Sequence, residues 1–334
     1  MPAVRLGLFL SAQHPPELPA GEGLAVDLEL VRLAGRLGFG TVMTGQHFLT
    51  SSTAKIQTVP LLARLAAEAE GMTLATGVLL LGLLNPVEAA EHLAALSVLS
   101  GGRLIAGVGL GYRTEEHRAF GAPGRGRAAV FEAKLDVVRR LLAGERVTAS
   151  GPGYDLDGAR LELRPDAPPP VWMAANRDAA VARAARLADA WLLNPHGRIS
   201  ELAAQTRLFH ATRAEAGRPP VTGLPIIREI CVAPTDEDAE ELASRHLAAK
   251  YATYVKWGQD TALPDSDTLR RPWHALNADG RFIVGAPDTC ARQVAELVDR
   301  LGVSDLLCRC HWPGMPAEEA MRSLELLSNA LNFT

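Results

Sequence analysis

Cysteine is scarce in this sequence, which has only four in 334 residues. They are Cys231, Cys290, Cys308 and Cys310, and they form neither a CxxC pair nor a spacing typical of metal ligands. The pattern therefore indicates neither a disulfide-stabilised scaffold nor a zinc ribbon. We expect four reduced thiols in a cytoplasmic protein.

Long hydrophobic runs and a strong net charge are also missing. No apolar segment reaches the roughly 18 residues that suggest a transmembrane helix. Residues 1–25 lack the basic start and apolar block of a signal peptide. The formal net charge is −4, which gives no electrostatic reason to bind nucleic acid or an anionic membrane. We expect neither as a partner.

Two common enzyme motifs are absent. No GxGxxG follows the first apolar run, which disfavours a dinucleotide-binding open sheet. His14 and His47 are isolated, and no HxH or similar cluster could supply the ligands of a metal-dependent barrel hydrolase. We therefore expect no metal site.

Short apolar runs of strand length alternate with segments of helical periodicity. The eight predicted strands are 4–10, 41–44, 72–81, 103–108, 171–175, 190–193, 226–233 and 305–310. Parallel neighbours need helical crossovers, so this alternation predicts an α/β fold, either a (β/α)8 TIM barrel or an open doubly wound sheet. We expect one domain over residues 1–334, with a hairpin insertion near 144–170 and a polar, irregular insertion near 258–282.

In a barrel, the chemistry lies just after the carboxyl ends of the strands. That rule selects the segments 13–14, 45–47, 76–85, 107–112, 174–178, 194–196 and 311–312.

These segments together resemble the luciferase-like monooxygenase family, which includes the bacterial luciferase α chain and F420-dependent reductases. The similar stretches are LGLFLSAQHPPEL, GFGTVMTGQHF, RLIAGVGLGYRTEEHRAFG, PPVWMAANRDAAVARAARLADAW and FIVGAPDTCARQVAELVDRLGVSDLLCRC. They occur in the order found in the family and cover nearly the whole chain. The resemblance implies a luciferase-like (β/α)8 barrel that binds reduced FMN or, alternatively, F420.

By resemblance, the cofactor phosphate is held after the fifth strand, in the segment Ala175, Asn176, Arg177 and Asp178. Backbone N–H groups at a helix N-terminus favour an anion there, and an arginine can pair with phosphate through two hydrogen bonds. Alternatively, Asn176 is only an N-cap and Arg177 a solvated residue. Arg127 lies where relatives carry another phosphate-binding arginine, although it could equally be a surface residue.

The wall behind the flavin is expected at the end of the third strand, at Thr76, Gly77 and Val78. Members of the family often have a non-prolyl cis peptide there, which by residue match is Gly77–Val78. Gly109 in GVGLGY could let the backbone approach a flat ring closely, or could simply make room for neighbouring elements. Luciferase has Cys and then Arg where this chain has Gly109 and Leu110, so its chemistry does not transfer directly.

His47 is the candidate catalytic residue, since relatives carry a functionally important histidine at this strand end. It could donate or move a proton. Many relatives have an acidic residue or a histidine before it, whereas Gln46 cannot ionise, which leaves a carboxylate-tuned histidine in doubt.

The candidate substrate pocket comprises Gln46, Tyr112, Trp191 and His196. Trp191 could equally lie in the core, and His196 on the surface. Because most residues at the strand ends are apolar, we expect a hydrophobic or aromatic organic substrate rather than a sulfonate or a phosphate ester.

The resemblance implies a monooxygenase that receives FMNH2 from a separate flavin reductase and uses O2 to oxygenate a small organic substrate. It also implies a homodimer. Two alternatives are an F420-dependent oxidoreductase that transfers hydride without O2, and a non-catalytic flavin-binding subunit.

Overall fold

The computed structural model describes residues 4–264 and 268–332. Its strands, numbered in chain order, are β1 Arg5–Leu10, β2 Gln13–His14, β3 Thr41–Thr44, β4 Ala54–Lys55, β5 Thr73–Thr76, β6 Leu104–Val108, β7 Val147–Gly151, β8 Tyr154–Ala159, β9 Val171–Ala174, β10 Ala190–Leu192, β11 Leu224–Val232, β12 Phe282–Gly285 and β13 Val303–Arg309. Its helices are α1 Ala20–Arg36, α2 Thr58–Leu65, α3 Pro86–Leu99, α4 Thr114–Ala119, α5 Arg127–Leu142, α6 Asp178–Leu187, α7 Ile199–Glu215, α8 Asp236–Lys256, α9 Trp273–Ala278, α10 Pro287–Leu301 and α11 Ala317–Asn332.

Nine strands form one curved parallel sheet in the order β10-β9-β6-β5-β3-β1-β13-β11-β12. Each neighbouring pair is parallel, and helices connect successive strands. The fold is therefore the α/β class that the alternating pattern predicts. The N–H of Leu193, just after β10, donates to Pro225 O of β11 at 2.9 Å, and Leu193 and Ile226 form an isolated parallel bridge.

All eight strands expected from the sequence are present, but β12 is an additional one. It lies at the end of the stretch that we expected to be irregular. That stretch also contains a 3-10 helix, Gln259–Ala262, and helix α9. The expectation of an irregular segment was therefore wrong for about half of its described length, because its elements are too short to show a hydrophobic period. Residues 265–267 lie outside the described residues.

Helix α7 was also not predicted from the sequence. Its buried face contains Gln205, Thr206 and Arg213 beside apolar residues, so the apolar periodicity is weak. The expected third strand ends at Thr76, five residues early, and a loop follows it. The insertion at 144–170 is a hairpin as expected, made of β7 and β8.

The core fills the space between the sheet and the surrounding helices. All four cysteines are buried and none is in a disulfide. Within the described ranges, no helix combines the length and the apolar character needed to cross a membrane.

Candidate active site

A cavity of about 500 Å³ lies at the carboxyl ends of the parallel strands. Cavities of this size accommodate small organic ligands and cofactors. It brings together most of the residues singled out from the sequence, namely Gln46, His47, Gly77, Val78, Gly109, Tyr112, Arg127, Ala175, Asn176, Arg177 and His196.

Three of the sequence-selected residues do not line this cavity. Trp191 is fully buried in the core, where its indole N–H donates to Ala175 O at 3.0 Å. Its assignment to the substrate pocket is therefore wrong, and Trp191 instead packs behind the residues that line the cavity. The Thr76 hydroxyl donates to Gly107 O at 2.7 Å, and the Asp178 carboxylate accepts from Gln205 Nε2 at 3.0 Å. Both are supports for the lining rather than parts of it.

The wall at the end of β5 contains a cis peptide bond between Gly77 and Val78, as the resemblance implied. Close backbone packing explains the glycines opposite it. A Cβ on Gly107 would lie 1.8 Å from Thr76 O, and a Cβ on Gly109 would lie 2.6 Å from Val78 Cγ2. Packing between strands therefore requires these glycines, and Gly109 also contributes backbone to the cavity surface.

At the end of β9, the N-terminus of α6 faces the cavity region. Arg177 is the N-cap and makes no side-chain capping hydrogen bond, so the alternative in which Asn176 is the N-cap is wrong. The first N–H groups of such a helix are available to an anion. Gln205 Nε2 donates to Asn176 O at 3.0 Å and fixes the loop. Arg127, at the start of α5, reaches the same cavity.

His47 is paired with a carboxylate that the sequence analysis missed. Its Nδ1 lies 3.0 Å from Glu116 Oε1, and the same oxygen accepts from the Phe48 N–H at 2.9 Å and from Arg113 Nη1 at 3.1 Å. Glu116 is fully buried on α4. Because the ionised carboxylate only accepts, His47 Nδ1 carries the proton and Nε2 is the basic nitrogen.

The charge state of this pair follows from its surroundings. Burial lowers the pKa of His47 below its ordinary value near 6.5, and the hydrogen bond to Glu116 opposes that shift. Burial raises the pKa of Glu116, but its contacts with His47, the Phe48 N–H and Arg113 outweigh burial and leave that pKa lowered. At neutral pH the pair is therefore a neutral imidazole beside a carboxylate, suited to proton transfer.

Aromatic side chains at the C-terminal end of α8 lie beside the cavity. Tyr254 lines it, and Trp257 stacks on Tyr254 with ring centroids 5.4 Å apart. Trp257 also lies 5.7 Å from the His47 ring and 4.8 Å from Arg113 Cζ. These contacts place the aromatic end of α8 against His47.

His196 is buried at the edge of the cavity, so the alternative of a surface histidine is wrong. Its Nδ1 lies 3.0 Å from the Tyr251 hydroxyl, and burial holds its pKa well below the ordinary value. Arg228 donates to Pro195 O at 2.8 Å, and Arg281 donates to His196 O. Two buried arginines therefore fix the loop that carries His196.

A second cluster of buried charges lies beside the cavity. Glu229 of β11 accepts hydrogen bonds from Lys250, from Arg309 Nη1 at 2.9 Å and from Trp312 Nε1 at 2.6 Å. Lys250 and Arg309 lower the pKa of Glu229 to about 2 against the opposing effect of burial. One sequence signal could have found this cluster, since Arg228 and Glu229 interrupt the otherwise apolar run of a strand whose nine residues are all buried.

In the described part of the chain, no three His, Cys, Asp or Glu side chains come together as a possible metal site. The side chains that line the cavity can transfer a proton at His47 and bind an anion at the cationic groups.

Comparison with known proteins agrees with this geometry. The model of the luciferase-like monooxygenase family matches residues 4–305. Limonene 1,2-monooxygenase of Rhodococcus erythropolis is 27% identical over 340 residues, covering 97% of this chain and 85% of that protein. The F420-dependent glucose-6-phosphate dehydrogenase of Beutenbergia cavernae is 34% identical over 184 residues, covering 53% and 54% of the two chains.

Two solved structures share the fold over nearly their whole length. The monooxygenase RslO1 from Streptomyces bottropensis has a TM-score of 0.85 at 23% identity, with 98% of each chain covered. The oxygenating constituent of 3,6-diketocamphane monooxygenase from Pseudomonas putida, in complex with FMN, has a TM-score of 0.79 at 18% identity, with 98% of each chain covered. Since the family model spans most of the sequence, the chain belongs to the luciferase-like monooxygenase family.

Proposed function

We propose that this protein is a flavin-dependent monooxygenase that uses FMNH2 and O2 to oxygenate an apolar organic substrate. One observation carries the proposal: a single cavity is lined both by the loop before the N-terminus of α6 and by the His47 that is paired with Glu116. Limonene 1,2-monooxygenase, a relative that covers 97% of this chain, supports the same activity.

The residues present fit a flavin mononucleotide. Asn176, Arg177 and the N–H groups of α6 would hold the phosphate, with Arg127 beside them. The backbone at Gly77, Val78 and Gly109 would lie against the ring system. When bound, the reduced flavin supplies the electrons that activate O2.

The side chains of this protein supply a proton relay and a dry cavity. His47 Nε2 can accept or return a proton while Glu116 holds Nδ1–H and stabilises the imidazolium. Tyr254 lines the cavity and Trp257 packs against Tyr254 and His47, so the two rings would shield the imidazole from water. Gln46 holds the Leu80 N–H through its Oε1 at 3.0 Å, and with Tyr112 and His196 it forms the proposed substrate surface.

We also infer that the chain is one domain whose eight main strands close into a (β/α)8 barrel. The bridge between Leu193 and Ile226 supports closure, because it joins the two strands that would otherwise be edges. A Leu193 amide that is protected from hydrogen exchange as strongly as those of β1 would support this inference, and rapid exchange would contradict it. The homodimer and the separate reductase are parts of the proposal that rest on the family resemblance alone.

The test is an anaerobic titration of the purified protein with FMNH2 and, separately, with F420H2, followed by exposure to O2. We expect saturation by FMNH2 and rapid O2 consumption by the complex. Saturation by F420H2 alone, with no O2 consumption, would instead support the F420-dependent oxidoreductase that the relative from Beutenbergia cavernae favours.

Two arginine variants add a site-specific control to that titration. Arg177→Gln should weaken FMNH2 binding about tenfold, because it removes a cation from the proposed phosphate site. Arg186→Gln, in the last turn of the same helix and exposed, should leave the dissociation constant within about twofold. Equal effects of the two variants on the dissociation constant would show that Arg177 does not bind the phosphate.

A further inference from the structure

The described lining of the cavity contains four cationic side chains and no carboxylate. Arg127 and Arg177 belong to the proposed phosphate end. The other two are Lys55 on β4 and Arg309 at the end of β13, strands that are not neighbours of β9 in the sheet. Positive charge is therefore present at a second place in the cavity, which the cofactor phosphate does not explain.

Lys55 has hydrogen-bonding capacity that the protein does not use. Its ammonium donates to Ser11 O at 2.6 Å, and no carboxylate in the described residues lies within ion-pair distance of it. An ammonium group has three donors, so two are left for a ligand. Burial lowers the pKa of Lys55 to about 8, so the group is still mostly protonated at neutral pH.

Arg309 also has a hydrogen-bond donor that no described residue accepts from, and it is only 5% exposed. Its guanidinium lies over the Phe9 ring, 4.0 Å from the centroid, and Nη1 donates to Glu229. Glu229 also pairs with Lys250, so one carboxylate faces two cations. Arg309 Nε is buried and has no hydrogen-bond partner within the described part of the chain.

Ser11 completes this wall. Its hydroxyl is buried and also finds no partner in residues 4–264 and 268–332. Ser11 follows Phe9 by two residues, and both line the cavity. Arg309 lies over Phe9, and Lys55 contacts the Ser11 carbonyl, so the three polar groups share one wall of the cavity.

We infer that Ser11, Lys55 and Arg309 form an oxyanion subsite that binds a singly charged oxygen group of the substrate. This inference rests on the proposed function, the oxygenation of an apolar compound. It assigns a substrate with an apolar body and one carboxylate or one ionised phenol or enol. Buried donors without partners are costly unless a ligand accepts from them. Lys55 and Arg309 both present positive charge to this wall, which favours an anionic oxygen group over a neutral one.

Because the substrate is unidentified, the test uses two probes of the same shape, 2-naphthoate and 2-naphthamide. Their dissociation constants are measured by calorimetry on the FMN-loaded protein. We expect the carboxylate to bind at least about tenfold more tightly than the amide. Lys55→Met should remove that preference, Lys55→Arg should retain most of it, and Ser11→Ala should reduce it.

Lys256→Met is the matched control, since Lys256 is exposed at the end of α8, and it should keep the full preference. Equal affinity for the two probes, or no binding of 2-naphthoate at millimolar concentration, would overturn the inference. Loss of FMN affinity in Lys55→Met would also overturn it, because the anion held there would then belong to the cofactor.

Failure of the proposed function can be distinguished from failure of the oxyanion subsite. If FMN does not saturate the wild-type protein, the proposed function fails, and the same pair of probes is then measured on the protein without cofactor. A retained preference for 2-naphthoate that depends on Lys55 would still support the subsite.

Discussion

The proton chemistry of His47 depends on a residue that follows it by 69 positions. Gln46 cannot ionise, and its side chain instead accepts from the Leu80 N–H. The carboxylate comes from Glu116, whose pKa is lowered by its contacts with His47, the Phe48 N–H and Arg113, the N-cap of the same short helix. A single buried oxygen, Glu116 Oε1, therefore orders the ring, the loop at Phe48 and the start of α4 together.

Replacing Glu116 by Gln should lower the pKa of His47 further. The carboxylate stabilises the imidazolium and opposes the effect of burial, so its removal leaves burial unopposed. The ring of His47 should then protonate at a lower pH, as measured by NMR titration of its Cε1 resonance. Glu115→Gln is the control, since Glu115 contacts Arg113 but not His47. An unchanged or higher pKa in Glu116→Gln would show that the carboxylate does not tune the ring.

At the scale of elements, the parallel strands were predictable and the contacts between distant elements were not. Apolar runs of strand length separated by helical periodicity identified eight strands of the sheet. Helix α4, which carries Glu116, has only six residues, too few for a periodic signal. The Glu229 cluster joins β11, α8 and β13, and no local sequence pattern predicts contacts among three separate elements.

Substitution of Gly107 by alanine tests how closely β5 and β6 approach each other. An alanine there would place Cβ 1.8 Å from Thr76 O, and a backbone carbonyl can move only if the strand moves. We expect Gly107→Ala to lower the free energy of unfolding by about 1–3 kcal/mol, measured by urea denaturation. Gly124→Ala has open space around the new methyl group and should change stability by less than about 1 kcal/mol. Similar effects of the two substitutions would mean that the strands tolerate the methyl group.

Glu229 tests the buried charge cluster in the same assay. Glu229→Gln leaves Lys250 and Arg309 facing each other without their carboxylate, in surroundings where Glu229 is 1% exposed. We expect a loss of about 3–5 kcal/mol in the free energy of unfolding. Glu296→Gln breaks an exposed pair with Arg300 on α10 and should cost less than about 1 kcal/mol. A loss below 1 kcal/mol in Glu229→Gln would show that the cluster contributes little to folding.

At the scale of the whole molecule, the sheet collects groups from distant parts of the sequence at one cavity. The proposed phosphate end follows β9, and the proton relay follows β3. The proposed oxyanion subsite combines the ends of β1 and β13 with β4, a short strand outside the main sheet. Strand order explains this arrangement, since parallel strands place all their carboxyl ends on the same side. The strands do not supply a cover for this cavity, and we expect the aromatic residues at the end of α8 to provide one.

Trp257 is the residue through which that cover can be tested. It lies against His47, Tyr254 and Arg113, so its removal should open the cavity to solvent above the imidazole. In the FMN-loaded protein, we expect Trp257→Ala to raise the rate at which dithionite reduces the bound FMN several-fold, as measured by stopped-flow absorbance. Trp273→Ala removes an indole of the same size that stacks on Phe282 and donates to Glu240 instead of contacting His47, so it should leave the rate unchanged. If both variants react at the wild-type rate, solvent reaches the flavin by another route and α8 is a wall rather than a cover.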